Sequence, residues 1–302
     1  MTDSSRSRRR GLIYGLLGPF LWGINGVVTQ YLLNRVGVDA NWLLSARLFF
    51  AGAVLFIYVY WHDRKNLLRL LKDRNIRWQL LIFIIFGDFL SQYTYVMAIS
   101  TSNAAMATIL TSLNPIFVII FYIFLNKKFA NRLDVISVII AVFGTFLLVT
   151  HGSLDHLEMS TIGLFWGLFA AVAYAFGTIY PIKLVSEYGP LPVTAVSLLV
   201  SGIAFNFYRP FFVSLPSMST IDWILLIVFT IISTAFGTAM WFLSLDLAGP
   251  TTMSLLSAVE PLTAMILSVL ILQVSMQWID YLGAFLIITM IVLQSLKGSR
   301  IS

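Results

Sequence analysis

Charge and cysteine are scarce in this sequence. Its 302 residues include no Cys, and only 11% of them are charged. The lack of cysteine excludes a structural disulfide and a thiolate metal site. Soluble domains carry about 25% charged residues, because a water-facing surface needs polar groups. The low charge therefore excludes an ordinary soluble enzyme.

Apolar residues take the place of the missing charge. Hydrophobic residues make up 59% of the chain, which also excludes a disordered protein. A helix crosses the hydrocarbon core with about 20 apolar residues, and ten segments meet this length. They lie at 11–34, 40–61, 78–99, 103–125, 133–150, 161–182, 191–213, 222–245, 250–272 and 278–296. We therefore predict an all-α polytopic membrane protein with ten transmembrane helices.

The basic residues predict how these spans are oriented. With the N-terminus inside, nearly all of the 19 Lys and Arg residues fall in cytoplasmic segments. The exceptions are Arg35 and Arg209 in outer loops and Arg47 inside a span. This bias predicts a multi-pass plasma membrane protein with both termini cytoplasmic. It also explains the net charge of +6 by contacts with anionic lipid headgroups, so we expect no nucleic-acid partner.

The two halves of the chain share a residue pattern. Pro115 of the fourth span precedes Asp134 by the same interval that separates Pro261 of the ninth span from Asp280. Since five spans per half is an odd number, the second half must cross the membrane in the opposite sense. Such inverted repeats are common in secondary transporters, whose substrate sites lie near the midplane between the repeats.

The repeat predicts the organisation of the whole chain. We expect a cytoplasmic N-terminal tail at 1–10, a first five-helix repeat at 11–150, an outer linker loop at 151–160, a second five-helix repeat at 161–296 and a cytoplasmic C-terminal tail at 297–302.

Short motifs recur along nearly the whole chain. They are Trp22-Gly23, Arg47, Gln92-Tyr93-Thr94-Tyr95, Ser102-Asn103-Ala104-Ala105, Asn114-Pro115, Gly144-Thr145-Phe146-Leu147-Leu148, Glu260-Pro261 and Gly283. Together they resemble the EamA-type transporters of the drug/metabolite transporter superfamily. The resemblance implies a secondary active transporter of a small metabolite, with export of amino acids or related compounds as the commonest activity and proton coupling as an option.

Three ionisable residues, Arg47, Asp88 and Glu260, are predicted inside spans. Such a residue costs at least about 2.5–3.5 kcal/mol on insertion, so it marks a candidate functional site. Asp88 or Glu260 could bind a proton or a cationic substrate group. The alternative is a buried ion pair with Arg47, or a protonated acid that fixes helix packing. The resemblance implies a shared role in architecture or gating for Glu260, whereas Asp88 matches no family motif.

Aromatic and amide side chains recur in the spans expected to line a cavity. The candidates are Trp22, Asn25, Gln92, Tyr93, Tyr95, Tyr174, Tyr180 and Trp241. Aromatic faces can hold an apolar or cationic group and amides can fix a polar end, although each side chain could instead serve packing. Pro115 and Pro261 each remove a helical hydrogen bond, so we expect them to bend gating helices, and a static kink without a gating role is the alternative.

Cofactor chemistry is not expected. His151, Asp155, His156 and Glu158 share one outer loop, but a solvated loop is favoured over a metal site. The sequence has no nucleotide-binding or catalytic motif, so we predict neither ATP drive nor an enzyme.

The expected partners are a small-molecule substrate and the lipid bilayer. Because both halves lie in one chain, a monomer is expected, and a dimer stays open. Two alternative functions also stay open: import of a cationic or quaternary-ammonium nutrient, and a non-transporting membrane scaffold or membrane enzyme.

Overall fold

A computed structural model describes residues 3–126, 132–151, 160–248, 252–253 and 256–298, and every regular element in these ranges is helical. The helices are α1 (Asp3–Asn34), α2 (Ala40–His62), α3 (Arg64–Lys72), α4 (Arg77–Thr101, with a π-helical segment at Phe83–Phe89), α5 (Ala104–Thr111), α6 (Asn114–Asn126), α7 (Arg132–Thr150), α8 (Thr161–Ile179), α9 (Ile182–Tyr188), α10 (Pro190–Tyr208), α11 (Thr220–Leu225, then a π-helical segment at Leu226–Ile232, then Ser233–Ala248), α12 (Val259–Leu272) and α13 (Trp278–Gly298).

The prediction of an all-helical, multi-pass membrane protein is confirmed. Seven helical stretches in the described ranges are long and apolar enough to cross a membrane. They are Arg9–Asn34, Ala40–His62, Arg77–Thr101, Ala104–Phe121, Thr161–Ile179, Pro190–Tyr208 and Thr220–Leu245. Shorter apolar helices lie at Val135–Thr150, Val259–Leu272 and Trp278–Leu293. Each of the ten predicted segments therefore contains apolar helix.

Short polar residues begin several helices. Asp39, Asn103 and Ser160 precede α2, α5 and α8, and each side chain accepts a hydrogen bond from the backbone N–H three residues later. The first N–H groups of a helix have no partner within the helix, and leaving them unpaired near lipid is costly. The caps therefore help to set where these helices start.

The helices of the first half pack mainly against helices of the second half. The closest partners are α1 with α11, α2 with α10, α4 with α8, α7 with α13, α1 with α12, and α5 with α8. The contacts of the two halves correspond. If α1 is matched with α8, α4 with α11 and α5 with α12, the α1–α11 contact corresponds to the α8–α4 contact, and the α1–α12 contact corresponds to the α8–α5 contact.

Glycines make these contacts close. A Cβ atom at Gly202 of α10 would lie 2.4 Å from the backbone nitrogen of Phe49, and one at Gly52 of α2 would lie 2.5 Å from that of Leu199. In two other helix pairs the glycines face each other, Gly87 with Gly177 and Gly144 with Gly283. Small residues let helix backbones approach in this way, and helix association within a membrane depends on such packing.

The two repeated prolines lie at breaks between helices. Pro115 is the second residue of α6, directly after a turn at Ser112 and Leu113, and Pro261 is the third residue of α12. The expectation that they remove a hydrogen bond within one continuous helix is wrong, because a first-turn N–H needs no partner within the helix. Both spans are instead interrupted by a turn.

A polar cluster ties α3 and the turn after it to α9. Arg69 pairs with Glu187 at 2.8 Å, and the Tyr188 hydroxyl donates to Asp73 Oδ2 at 2.6 Å. This hydrogen bond and one from the backbone N–H of Asn75 hold the pKa of Asp73 below its ordinary value. The cluster therefore links the two halves of the chain outside the apolar spans.

We expect Gly202→Ala to destabilise the protein. The new methyl group would overlap the α2 backbone, and overpacking of a tight contact costs about 1–3 kcal/mol. Thermal melting in detergent should show a clear drop. Ile203→Ala, at a neighbouring and more exposed position, is the control. Equal melting of Gly202→Ala and wild type would contradict the close α2–α10 contact.

We also expect Tyr188→Phe to remove a pH-dependent contribution to stability. A lowered pKa in the folded state stabilises the protein above the ordinary carboxyl pKa of about 3.9, and this contribution is lost as the pH falls through the lowered value. Wild type should therefore melt above Tyr188→Phe at pH 7, and the difference should shrink below about pH 4. Tyr180→Phe is the control, and a difference that does not change with pH would argue against the Asp73 contact.

Candidate functional site

A cavity of about 250 Å³ lies between the two halves. Ligand pockets commonly hold about 300–1,000 Å³, so this cavity suits a small solute. Its lining comes from α1, α2, α4, α8, α10, α11 and α12. The lining residues are Trp22, Asn25, Arg47, Phe83, Gly87, Asp88, Ser91, Gln92, Tyr95, Tyr174, Gly177, Thr178, Thr194, Leu198, Thr234, Thr238, Trp241, Phe242 and Glu260.

Most of the side chains selected from the sequence meet in this cavity. They are Trp22, Asn25, Arg47, Asp88, Gln92, Tyr95, Tyr174, Trp241 and Glu260. Two other candidates lie elsewhere. Tyr93 packs edge-on against Trp166 at 5.8 Å between ring centroids, and Tyr180 stacks on Phe176 at 4.9 Å. Both rings are partly buried against the main hydrophobic core.

Arg47 provides the cationic side of the cavity. The residue is 1% exposed, and its Nη2 donates to Gln92 Oε1 at 2.9 Å. Its Nε has no hydrogen-bond partner, and Arg47 forms no ion pair within the described ranges. The buried ion pair between Arg47 and a carboxylate, considered as an alternative from the sequence, is therefore not formed in this conformation.

Asp88 lies in the π-helical segment of α4. Its Oδ2 accepts a hydrogen bond from the Ser197 hydroxyl of α10 at 2.8 Å. Gly87, the preceding residue, brings α4 against Gly177 of α8. A π-helical turn widens the helix locally, and such turns are frequent at functional sites. The wide turn and the glycine contact thus place a carboxylate at the boundary between the halves.

Glu260 faces the same cavity from α12. The residue is the second of this helix, so its carboxylate lies near the positive end of the helix dipole, which favours a negative charge. Within the described part of the chain, the carboxylate has no hydrogen-bond or ion-pair partner. The break before α12 therefore explains how an acid is accommodated in mid-span and leaves it available to a ligand.

Asn25 is held by neighbouring hydroxyl groups. Its Nδ2 donates to Thr234 Oγ1 at 2.9 Å, and its Oδ1 accepts from Thr29 at 3.2 Å. The Trp22 and Trp241 rings lie 5.6 Å apart on the same two helices. The Asn25–Thr234 hydrogen bond and the Trp22–Trp241 contact both join α1 to α11 beside the cavity. They give the cavity wall an amide group and an apolar surface.

Two threonines of α11 line the cavity although they were not among the residues predicted from the sequence. Thr234 and Thr238 line the cavity together with Trp241. Their spacing places all three on one face of a helix, so the signal was present beside a residue already selected. The contributions of Gly87 and Gly177 could not be recognised in this way, because they depend on which helices become neighbours.

Of the outer loop at 151–160, the structure describes His151 and Ser160. His151 Nε2 lies 2.7 Å from Asp280 Oδ1, which joins the end of α7 to the start of α13. Asp155, His156 and Glu158 lie outside the described residues.

Comparisons with known proteins give a transporter family and relatives that are named as transporters. Residues 9–150 and 161–296 match the model of the EamA-like transporter family. A Salmonella typhimurium protein named as the uncharacterized inner membrane transporter YicL is 33% identical over 97% of this chain and 98% of its own length. The uncharacterized transporter YetK of Bacillus subtilis is 23% identical over 86% of this chain and 79% of its own length. A solved crystal structure with 17% identity covers 98% of this chain and 99% of its own, with a TM-score of 0.66.

We expect Thr234→Val to destabilise the cavity wall. The substitution keeps the shape of the side chain but leaves the Asn25 amide without its acceptor, and an unsatisfied buried donor costs about 1–3 kcal/mol. Thr234→Ser retains the hydroxyl group and should melt close to wild type. If the Val and Ser variants melt together, the Asn25–Thr234 hydrogen bond does not stabilise the fold.

Proposed function

The chain belongs to the EamA-like transporter family, and so to the drug/metabolite transporter superfamily, and from this premise we propose that it is a secondary active transporter exporting an amino acid or a related small metabolite. The observation that carries this proposal is the cavity between the two halves. It combines one guanidinium, two carboxylates and several aromatic rings in a space suited to a small solute.

We propose ten membrane crossings arranged as two inverted repeats, at 11–150 and 161–296, with both termini in the cytoplasm of a plasma membrane protein. The exchange symmetry of the helix contacts supports this arrangement. The π-helical segments do so as well, because one lies in α4 and the other in α11, at corresponding places in the two halves. The distribution of Lys and Arg supports the orientation.

The proposed mechanism is alternating access by rocking of one half against the other. Substrate sites of inverted-repeat transporters lie between the repeats, and this cavity has walls from both halves. The turns before Pro115 and Pro261 supply points where the spans around the cavity can bend. Close contacts such as Gly52 with Leu199 and Gly202 with Phe49 would let α2 and α10 pivot with little side-chain rearrangement.

Asp88 and Glu260 are the proposed coupling or substrate-binding acids. Either carboxylate could accept a proton or pair with a substrate amino group, while Trp22, Tyr174 and Trp241 contact the rest of the molecule. An importer of a quaternary-ammonium nutrient fits less well, because a purely cationic substrate would share the cavity with the Arg47 guanidinium.

We expect Glu260→Gln and Asp88→Asn to impair transport without unfolding the protein. Losing a hydrogen bond to a charged group costs about 1.5–3 kcal/mol, which corresponds to roughly a ten- to hundredfold loss in rate or affinity. The measurement is uptake of a labelled amino acid mixture into proteoliposomes across a pH gradient. Glu187→Gln, which changes an acid paired with Arg69 outside the cavity, is the control. Wild-type flux by both cavity variants would contradict a role of Asp88 and Glu260 in proton coupling or substrate binding.

A further inference from the structure

We propose that Arg47 anchors the anionic end of the substrate, so that the transported compounds carry a carboxylate and the same molecules without it are poor ligands. This inference rests on the proposed function and assigns one end of the same cavity.

Arg47 is buried with unused hydrogen-bonding capacity. Only 1% of its surface is exposed, yet its Nε donates to no atom in the part of the chain that the structure describes. The hydrogen bond that its side chain makes goes from Nη2 to Gln92 Oε1, 2.9 Å away. Arg47 also lines the cavity, so the unused donor belongs to a group at the wall of the candidate site.

The acids that share the cavity are held by groups other than Arg47. Asp88 Oδ2 accepts from the Ser197 hydroxyl at 2.8 Å, and Glu260 is held near the N-terminus of α12. Neither forms an ion pair with Arg47 within the described residues. The guanidinium is therefore buried beside a neutral amide, and an unpaired charge is costly in such surroundings.

A ligand carboxylate would complete this arrangement. The guanidinium presents its donors in a planar fork that matches the two oxygens of a carboxylate. Gln92 accepts at Nη2 and so orients the fork, but it brings no negative charge of its own.

Glu260 supplies the opposite pole. Its carboxylate faces the same cavity and has no partner in the described part of the chain. Two opposite charges that share a cavity without pairing suit a ligand that is itself dipolar. We therefore place the carboxylate of the substrate at Arg47 and its cationic group toward Glu260.

The first test compares ligands that differ only in the carboxylate. Leucine and phenylalanine are paired with their decarboxylated analogues, isopentylamine and phenethylamine, in thermal-shift titrations of the purified protein, since a ligand stabilises the state it binds. Further standard amino acids, each paired with its decarboxylated amine, extend the panel. We expect the favoured ligand to bind at least about tenfold more tightly than its amine. A panel in which no carboxylate-bearing member is favoured overturns the proposal.

The second test uses Gln92→Glu, which places an acid beside Arg47. The new carboxylate should pair with the guanidinium, raise the melting temperature and compete with the ligand. We expect amino acid binding to fall at least about tenfold while binding of the amine analogue is unchanged or improved. This variant avoids the folding defect that removal of the buried Arg47 could cause.

Gln30→Glu is the matched control. Gln30 is also a buried glutamine of the first half, but its Oε1 accepts from the backbone N–H of Ala104, away from the cavity lining. Ligand preference should be unaffected by this change. A Gln92→Glu protein that keeps the wild-type preference for carboxylates overturns the anchoring role of Arg47.

Binding and flux together separate the two proposals. Selective binding of carboxylates with no flux into proteoliposomes would contradict the proposed transport function and leave the Arg47 site intact. Flux of the amines as fast as that of the parent amino acids would support transport and overturn the Arg47 site.

Discussion

The cost of holding charge inside an apolar medium is the constraint on which this structure depends. Arg47, Asp88 and Glu260 lie in apolar spans, where an exposed charge would face lipid. The fold places all three at one cavity between the halves. Each has a different local support: a glutamine for Arg47, a serine for Asp88 and a helix N-terminus for Glu260.

Close backbone contact makes this arrangement structurally feasible. The two halves approach through glycines, so that helices such as α4 and α8 meet without large side chains between them. Bulkier aromatic and polar groups are then available to surround the cavity. Because lipid is as apolar as the helix surfaces, such packing and the polar contacts across it replace the hydrophobic effect as the source of helix association.

Local interruptions of the helices serve the same site. The turn before α12 brings the positive end of a helix to Glu260, and the π-helical segment of α4 carries Asp88. An uninterrupted α-helix would pair the backbone N–H and C=O groups without such a turn or π-helical segment. The departures from regular geometry therefore coincide with the residues that bear charge, as is common at functional sites.

Composition and spacing by themselves determined that the chain is an all-helical membrane protein, where its apolar helices lie and which mid-span residues are costly enough to mark a site. These features follow from the local cost of burying polar groups. Tertiary structure decided that Tyr95 lines the cavity while Tyr93 packs outside it, that Pro115 and Pro261 begin helices, and that Arg47 meets Gln92 instead of an acid. Each of these depends on which helix surfaces become neighbours, and distant segments must pack together before that is defined.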